Sequence, residues 1–395
     1  MTAPTVVGLF AGIGGIERGL AQAGFQTELL CEIDPGAVAV LRRRLPEIPL
    51  HLDIRTLRSL PDAAVVAAGF PCQDLSQAGR TVGIGGPQSG LVDHALRLVG
   101  ERGRSPRWLL LENVPFMLQL ERGRAMRHLT DVLEERGFMW AYRIVDARAF
   151  GLPQRRQRVV LLASRGEDPR SVLFADNAIP RANGDPERHA CGFYWTEGLR
   201  GLGWAVNAVP TLKGGSTIGI ASPPAVRMAA DRSLRTPGIE DAERLQGFPA
   251  GWTEPSVTDA GTRPGHRWKL VGNAVSVPMA RWLGGRLREP AGYDVQDDAP
   301  LRPGQAWPAA AWGYRGQAFA AQVSPWPVRK PYRQLEAFLR SPKLLSARAT
   351  AGFLSRAESS SLHFVDGFLD DVHEHLIRMR GEAAYAQGRL FDEPG

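Results

Sequence analysis

The chain has 395 residues, of which 44% are hydrophobic and 23% charged, so it is long enough to bury a large core and to form more than one domain. Its formal net charge of +7 favours a polyanionic partner such as nucleic acid over an acidic small molecule, although an arginine-rich proteome gives a similar charge without such a partner. The three cysteines are widely separated and lack metal-ligand spacing, and no apolar run reaches the length of a membrane span or forms a leader, so we expect a cytoplasmic protein with no membrane contact and no metal.

The chain begins with a predicted strand, a glycine-rich turn and a helix. Thr5 to Phe10 is an apolar strand, and Ile16 to Ala23 has helical spacing. Gly12 and Gly14 lie in the turn between them, where the missing side chains let the backbone approach a ligand closely. A second strand leads to Glu32, an acid about twenty residues after the turn that can reach the hydroxyls of a ribose.

A single cysteine follows the next apolar segment. Ala63 to Ala68 predicts a buried parallel strand, and Gly69-Phe70-Pro71-Cys72-Gln73 places a thiol in the loop at its end. Open α/β sheets carry their chemistry at the carboxyl ends of such strands, so Cys72 is a candidate nucleophile. A small structural cysteine in the core is the alternative interpretation.

Charged residues accompany the next two predicted strands. The apolar run Leu109 to Leu111 ends in Glu112, which places a carboxylate beside the cysteine at the same edge of the sheet. Gln154-Arg155-Arg156-Gln157-Arg158 then leads into another apolar strand. Alternation in an extended segment points Arg156 and Arg158 to the same side.

A thiol, a carboxylic acid and a pair of guanidinium groups fit one reaction. The cytosine ring becomes nucleophilic at C5 only after a nucleophile adds to C6, and an acid that holds or protonates N3 helps that addition. Cys72 would form the covalent bond and Glu112 would engage N3, so we expect Glu112 to be partly buried with a raised pKa. Arg156 and Arg158 would contact O2 and a neighbouring phosphate.

Five motifs occur in the order seen in cytosine-C5 DNA methyltransferases, which the chain resembles over roughly residues 5 to 285. They are Phe10-Ala11-Gly12-Ile13-Gly14-Gly15, Gly69 to Gln73, Glu112-Asn113-Val114, Gln154 to Arg158, and Gly272-Asn273-Ala274-Val275. The resemblance implies methyl transfer from S-adenosylmethionine to C5 of a cytosine flipped out of a specific duplex DNA site, in the manner of bacterial restriction–modification enzymes. It also implies a covalent intermediate between Cys72 and C6.

The resemblance further implies the cofactor contacts. Phe10 packs near the adenosine, Glu32 binds the ribose and Ile33 lies against the adenine. Asp53 and Ile54 form the next contact, although Leu52 stands where the family usually has glycine. The remaining predicted contacts are Gly12, Gly14, Pro71 and Asn273.

A dinucleotide-binding fold is the alternative interpretation of the amino-terminal segment. Its fingerprint needs a third glycine where this chain has Glu17. S-adenosylmethionine contains adenosine but no pyrophosphate, so the loss of that glycine is harmless to its binding. We therefore favour S-adenosylmethionine over a nicotinamide or flavin cofactor.

Two loops are predicted to contact DNA. Gln73 to Thr81 resembles the mobile loop that closes over DNA, and Gln73 and Ser76 are the candidate contacts within it. Lys213 precedes a glycine-rich turn whose backbone N–H groups could meet a phosphate. A plain surface turn with a solvated lysine is the alternative.

The alternation of strands and helices predicts an α/β fold with a doubly wound, mostly parallel sheet, which is the class I fold of S-adenosylmethionine-dependent methyltransferases. Residues 1–164 are expected to form the catalytic and cofactor-binding domain, 165–235 a short irregular target-recognition insert, and 236–290 the segment that completes the catalytic domain. Residues 291–395 form a helical C-terminal extension of unknown role.

The extension contains two patterns that need an interpretation. Its tryptophans and tyrosines alternate with arginine and lysine, and we favour a packing role for them over a grip on nucleic acid. Leu362, Val365, Leu369, Val372 and Leu376 form one helical stripe, which predicts a buried face. His373 and His375 lie two residues apart on that helix and therefore cannot share a metal ion.

Two other functions remain open on the sequence. The same chemistry could act on transfer RNA, and an inactive DNA-binding homologue would use the same fold but would be expected to lose Cys72 or Glu112. We expect the enzyme to act as a monomer on double-stranded DNA. A cognate restriction endonuclease or a larger defence system is a candidate partner.

Overall fold

The computed structural model describes residues 2–70, 90–100, 106–197, 199, 201–214, 221–302 and 304–389, so the predicted site residues Pro71, Cys72, Gln73 and Ser76 lie outside the described residues. The strands are β1 Thr5–Leu9, β2 Gln26–Cys31, β3 Leu50–His51, β4 Val65–Ala68, β5 Trp108–Asn113, β6 Met139–Asp146, β7 Gln154–Arg155, β8 Gln157–Ser164, β9 Cys191–Phe193, β10 Ala205–Val206, β11 Val209–Pro210, β12 Ala225–Arg227, β13 Leu234–Thr236, β14 Ala299–Pro300, β15 Ala310–Tyr314, β16 Gln317–Ala320 and β17 Lys343–Leu344. The helices are α1 Gly15–Gln22, α2 Pro35–Arg44, α3 Leu91–Gly100, α4 Arg124–Glu135, α5 Arg170–Leu173, α6 Ile239–Leu245, α7 Pro255–Thr258, α8 His266–Asn273, α9 Val277–Arg288, α10 Leu335–Phe338, α11 Ala347–Glu358 and α12 Phe368–Arg389, with 3-10 turns at Pro115–Leu118, Leu120–Gly123 and Ala147–Phe150.

The large sheet has the strand order β14-β16-β15-β6-β8-β5-β4-β1-β2-β3 among the described residues. Strands β1 to β5 pair in parallel, and β8 runs antiparallel between β5 and β6. Because two antiparallel pairings restore the direction, β6 runs parallel to β5. The carboxyl ends of β1, β4, β5 and β6 therefore meet at one edge of the sheet, where β8 begins.

Helices cover both faces of this sheet. Alternate side chains of β1 show the division, because Val6 packs with Leu20 of α1 and Leu283 of α9, whereas Val7 packs with Leu96 of α3 on the other face. Helices α1 and α9 also pack directly on each other. Strands that are apolar on both faces are typical of a doubly wound sheet, so the predicted fold class is confirmed.

The C-terminal residues pack in two different places. Strands β15 and β16 extend the large sheet beyond β6, and β17 pairs with β13 at the edge of a second sheet of order β10-β9-β12-β13-β17. Helices α11 and α12 cover that second sheet, where Phe353 lies 5.2 Å from Phe193 and 6.0 Å from Phe368 between ring centroids. The small sheet thus shares one core with residues about 150 positions further along the chain.

The aromatic residues of the extension pack as predicted. Trp307 is buried, donates from Nε1 to the carbonyl of Gly123 at 2.9 Å and lies edge-on against Trp140 at 5.9 Å. Trp326 is also buried. The predicted stripe is partly wrong, since α12 begins only at Phe368, which leaves Leu362 and Val365 outside the helix.

The two histidines of α12 have different surroundings. His375 is buried between the carbonyl of Leu345, 2.9 Å from Nε2, and the N–H of Leu234. His373 is half exposed and lies 3.2 Å from Glu358. Their separation matches the expected geometry of residues two apart on a helix.

Substitution of Phe353 tests the shared core of the small sheet. Phe353→Ala removes a fully buried ring and should lower the free energy of unfolding by about 3–5 kcal/mol, measured by denaturant titration. Ile377→Ala, at a position of α12 that is 71% exposed, is the matched control and should change it by less than about 0.5 kcal/mol. Equal stability of the two variants would contradict the shared core.

Candidate active site

Glu112 lies at the carboxyl end of the central strand β5. The residue is only 8% exposed, and the Nε of Arg158 on neighbouring β8 lies 3.0 Å from its Oε1. Burial raises the pKa of Glu112, while Arg158 and Arg156 act in the opposite direction without cancelling the effect of burial. The expectation of a buried glutamic acid with a raised pKa is confirmed.

The ion pair leaves part of the Glu112 carboxyl group available to a ligand. Although Oε1 is close to Arg158, it has no aligned hydrogen bond among the described residues. The Arg158 guanidinium is the charged partner of this oxygen, and the ion pair does not use the full hydrogen-bonding capacity of the carboxyl group. Glu112 is therefore suited to hold a polar ring edge.

The chain that leads to Cys72 is anchored beside Glu112. Asn113 donates from Nδ2 to the carbonyl of Phe70 at 3.0 Å, and its Oδ1 accepts the N–H of Val114. The other carboxyl oxygen of Glu112 lies 3.7 Å from the position that a Cβ on Gly69 would take. Asn113, whose role the sequence motif does not reveal, thus fixes the last described residues before Pro71 and Cys72.

Arg156 has a different set of contacts from Arg158. Its Nη2 donates to the carbonyls of Gly272 at 3.0 Å and Ala274 at 2.7 Å, on either side of Asn273. The side chain is fully buried. Both guanidinium groups act electrostatically on Glu112. The hydrogen bonds of Arg156, however, hold the turn that carries Asn273.

Two buried glutamine side chains also hold together the segments around Arg156. Gln154 donates to the carbonyl of Leu245 at 2.8 Å and accepts the N–H of Leu212. Gln246 donates to the carbonyl of Val271 at 3.0 Å and accepts from the hydroxyl of Ser276. These contacts join β7 to the segment that returns from the small sheet, a role that the sequence motif containing Gln154 did not reveal.

The glycine-rich turn after β1 has the backbone that its sequence predicts. Gly12 and Gly14 have φ values of 56° and 82°, and nothing lies within 4 Å of a Cβ built on Gly12. Phe10 also has a positive φ of 54°, which is uncommon for a residue with a bulky side chain and marks local strain. The carboxylate of Glu32 accepts the N–H of Gly12 at 2.7 Å and so ties the turn to the end of β2.

Glu17 explains how the helix tolerates the missing third glycine. Its side chain is 2% exposed and lies over Gly8 of β1, where an added Cβ would be only 2.0 Å from Oε1. Burial raises the pKa of Glu17 to about 7, with a smaller contribution in the same direction from Glu32. In the dinucleotide-binding fingerprint, a glycine at the position of Glu17 lets the helix pack closely on the strand. Here Gly8 of β1, which has no side chain, makes room for the Glu17 side chain instead.

The residues around this turn fit S-adenosylmethionine. Ile33 is 61% exposed beside the Glu32 carboxylate, so an apolar surface for a flat base adjoins an acceptor for hydroxyl groups. Ile54 is buried, whereas the Asp53 carboxylate is paired with Arg55 through bonds of 2.7–3.0 Å. Hydrogen bonds from Arg55 lower the pKa of Asp53.

Asp34 connects the cofactor side to helix α8. Its carboxylate caps α2 and accepts from Nε2 of His266 at 2.8 Å and from Nζ of Lys269 at 2.9 Å. Burial opposes ionisation, but the bonds from Lys269 and His266 lower the pKa of Asp34. Asn273 ends the same helix and is exposed, while Ser276 is the N-cap residue of α9.

Lys213 and the described cysteines complete the set of sequence candidates. The Lys213 ammonium forms an ion pair with Glu197 and lies 3.8 Å from the ring centre of Tyr194. Burial raises the pKa of Cys31 to about 12 and that of Cys191 to about 11, so neither thiol ionises readily at neutral pH. Within the described ranges, no cluster of His, Cys, Asp and Glu could hold a metal ion, and no helix is long and apolar enough to cross a membrane.

Comparison with known proteins identifies the family of this chain. The model of the family described as C-5 cytosine-specific DNA methylase matches residues 5–189. The chain is 50% identical over 377 residues to the Type II methyltransferase M2.BsuMI of Bacillus subtilis (strain 168), which covers 93% of this chain and 97% of that protein. It is 27% identical to the Type II methyltransferase M.BsuFI of Bacillus subtilis over 72% of each chain.

Solved structures share the fold at lower identity. The S. pombe Dnmt2 methyltransferase has a TM-score of 0.54 and 18% identity, and the match covers 72% of this chain and 98% of that one. A Spodoptera frugiperda DNMT2 mutant has a TM-score of 0.51 and 15% identity over 73% of this chain and 100% of that one.

The fold and site thus define an S-adenosylmethionine-dependent methyltransferase. The chain belongs to the C-5 cytosine-specific DNA methylase family. It is a DNA (cytosine-5)-methyltransferase, its methyl donor is S-adenosylmethionine, and its substrate is DNA.

Asp34→Asn tests the connection to helix α8. Asparagine keeps a capping oxygen but removes the charge, so the free energy of unfolding should fall by about 2 kcal/mol at pH 7. Because the pKa of Asp34 is lowered in the folded state, its contribution is present above the unfolded value of about 4 and is lost as the pH falls through the folded value. Denaturant titrations should therefore show the difference shrinking below about pH 4, whereas exposed Asp366→Asn should show none at either pH.

Arg156→Met tests the turn that carries Asn273. The carbonyls of Gly272 and Ala274 lose a charged donor, so we expect a loss of about 2–4 kcal/mol in stability and weaker binding of S-adenosylmethionine by calorimetry. Arg302→Met, at an exposed arginine, serves as control. Unchanged cofactor affinity in a folded Arg156→Met variant would show that Arg156 does not position the turn for the cofactor.

Proposed function

We propose that the pocket at Glu112 receives the flipped cytosine and that Cys72 is the nucleophile. The supporting observation is the buried carboxyl group of Glu112, which is ion-paired with Arg158 and belongs to the strand whose next residue, Asn113, anchors Phe70. Phe70 precedes Cys72 by two positions. The raised pKa of the two described cysteines also favours Cys72 as the reactive thiol.

The reaction is a covalent addition followed by elimination. The Cys72 thiolate forms a bond to C6, and the electron pair of the C5–C6 double bond becomes available at C5 while Glu112 donates a hydrogen bond or proton to N3. C5 takes the methyl group. A base then removes the C5 proton, the double bond forms again and the thiolate leaves.

Glu112 is suited to this role because burial raises its pKa while Arg158 and Arg156 keep positive charge close to it. A protonated carboxyl can donate to N3, and Arg158 stabilises negative charge if the proton moves to the ring. We assign Arg158 to the base side of the site and Arg156 to both the electrostatics of Glu112 and the support of Asn273.

S-adenosylmethionine supplies an electrophilic methyl group when bound. Glu32 is proposed to hold the ribose and Ile33 the adenine, with Phe10, Gly12 and Gly14 shaping the turn around them. Asp53, Ile54, Pro71 and Asn273 are the other proposed contacts. Gln73, Ser76 and Lys213 remain proposed DNA contacts, and Lys213 would exchange its ion pair with Glu197 for a phosphate.

The biological setting proposed for this enzyme follows the names of its relatives, which are Type II methyltransferases. We propose a cytoplasmic restriction–modification methyltransferase that acts as a monomer on a specific duplex site, with a cognate endonuclease as partner. Target recognition is assigned to residues 165–235, supported by the C-terminal residues that share their core. Bisulfite sequencing of DNA from a host that expresses the protein would identify the site.

Methyl incorporation into duplex DNA and transfer RNA, measured side by side, tests the substrate. Incorporation into duplex DNA alone is expected. Incorporation into transfer RNA alone would overturn the proposed substrate.

The nucleophile and the acid are tested by trapping. Cys72→Ser should abolish turnover and the covalent adduct with duplex DNA containing 5-fluorocytosine, while DNA binding remains, because only the attacking sulfur is lost. Glu112→Gln should slow the chemical step by about 100-fold or more with little change in cofactor affinity. The control Cys191→Ser should retain the adduct, and an adduct in Cys72→Ser would remove Cys72 from the mechanism.

A further inference from the structure

A basic cavity lies beside the active edge of the large sheet. It encloses about 270 Å³ and is lined by Arg148, Arg181, Arg329 and His189, together with Asn183 and Tyr332 among others, and no carboxylate is among its described lining residues. Three separate chain segments build it: the turn after β6, the start of the small sheet's segment, and the C-terminal extension. None of these residues belongs to the sequence motifs or to the site described above.

The register of the sheet places this cavity relative to Glu112. Glu112 and Arg143 both lie opposite Val160 of β8, and β6 continues for three residues to Asp146 at the same edge. Adjacent strands are separated by about 4.8 Å, so β6 lies about 10 Å across the sheet from β5. Arg148 lies just beyond Asp146 in the 3-10 turn, which puts the cavity at the same edge of the sheet as Glu112.

The charges in the cavity do not cancel. The fully buried Asp146 carboxylate accepts from Arg148 through bonds of 2.9 and 3.1 Å, so that pair is neutral. Arg181 and Arg329 have no ion-pair partner within the described part of the chain. A neighbouring depression adds Arg188 but also Asp185 and Glu336, and it contributes no further excess of positive charge.

Arg181 is held in place and has a donor to spare. Its Nη2 donates to the carbonyl of Lys330 at 2.7 Å, and its guanidinium lies 5.4 Å from the ring centre of Tyr332. Tyr332 in turn donates to the carbonyl of Asn207. The Nε of Arg181 is buried without a hydrogen-bond partner in the described residues, so the guanidinium is fixed by packing and by its bond to Lys330 while part of its donor capacity stays unused.

We propose that this cavity binds a phosphodiester group of the duplex DNA substrate, outside the base that is methylated. A fixed guanidinium without an ion-pair partner, a second arginine that is exposed, and a lining without carboxylates match an oxyanion. Duplex DNA bound over Glu112 presents its backbone along the same edge of the sheet. The contact is independent of sequence, and it gives the C-terminal extension a direct part in holding DNA.

Equilibrium binding to duplex DNA tests the proposal in the full-length protein. Arg181→Gln combined with Arg329→Gln should weaken DNA binding about three- to tenfold, and the loss should be equal on duplexes with and without the target site. The slope of log affinity against log salt should fall in magnitude by about one for each phosphate that is no longer neutralised. Arg329→Gln alone changes only an exposed side chain and should show part of the same loss. Wild-type affinity and salt slope in the folded double variant would overturn the proposal.

Arg315→Gln is the matched control. Arg315 is an exposed arginine of the same extension, in the β15–β16 turn at the opposite end of the sheet, and its substitution should leave binding unchanged. If Arg315→Gln lost as much DNA affinity as Arg329→Gln, the effect would depend only on the net charge of the protein. That result would overturn the assignment of the phosphate site to this cavity. Binding assays do not need the Cys72 reaction, so failure of the proposed mechanism would be seen separately by 5-fluorocytosine trapping.

Inorganic phosphate distinguishes DNA from a free anion as the source of the oxyanion. Phosphate at millimolar concentration should weaken DNA binding of the wild type more than that of the double variant, beyond the effect of an equal ionic strength of chloride. A phosphate-dependent rise in the wild-type unfolding temperature that is absent from the double variant, together with unchanged DNA binding, would identify a free-phosphate site and overturn the DNA assignment.

Discussion

The carboxyl group of Glu112 lies at the end of a central strand with almost no access to water, and two guanidinium groups face it. Burial favours the neutral acid and the arginines favour the anion, so the group is held between the two states that a proton-sharing step requires. Arg156 serves this balance and also binds the carbonyls around Asn273. The electrostatics of the base pocket and the attachment of the returning segment therefore depend on the same buried side chain.

In the proposed mechanism, the same edge of the sheet is divided into a cofactor side and a base side. Glu32 and Asp34 fix the cofactor side, and Asp34 reaches across to α8 through His266 and Lys269. Asn113 fixes the base side by holding Phe70. Strand β4 lies between these two sides and leads towards Cys72. The proposed nucleophile therefore comes directly after the strand that separates the proposed methyl-donor site from the acid.

Strong local patterns made much of this arrangement predictable. Apolar runs and helical spacing located several central strands and helices of the large sheet, and the motif at Glu112 placed this acid at the carboxyl edge of the sheet. The carbonyl contacts of Arg156 were not predictable because backbone acceptors more than 100 positions away leave no trace in residue type. Strand β17 has only two residues and no periodicity, so its pairing with β13 could not be read from the chain.

With target recognition assigned to residues 165–235 as proposed, the shared core of the small sheet sets a condition for changing the DNA sequence that the enzyme recognises. A graft of residues 165–235 from a relative would replace the surface around Phe193. Phe353 and Phe368, which pack on that surface in this chain, would remain unchanged. Mismatched aromatic rings leave voids or clashes that cost several kcal/mol. An exchange of specificity between such enzymes therefore has to transfer the segment of the small sheet together with the C-terminal helices that pack on it.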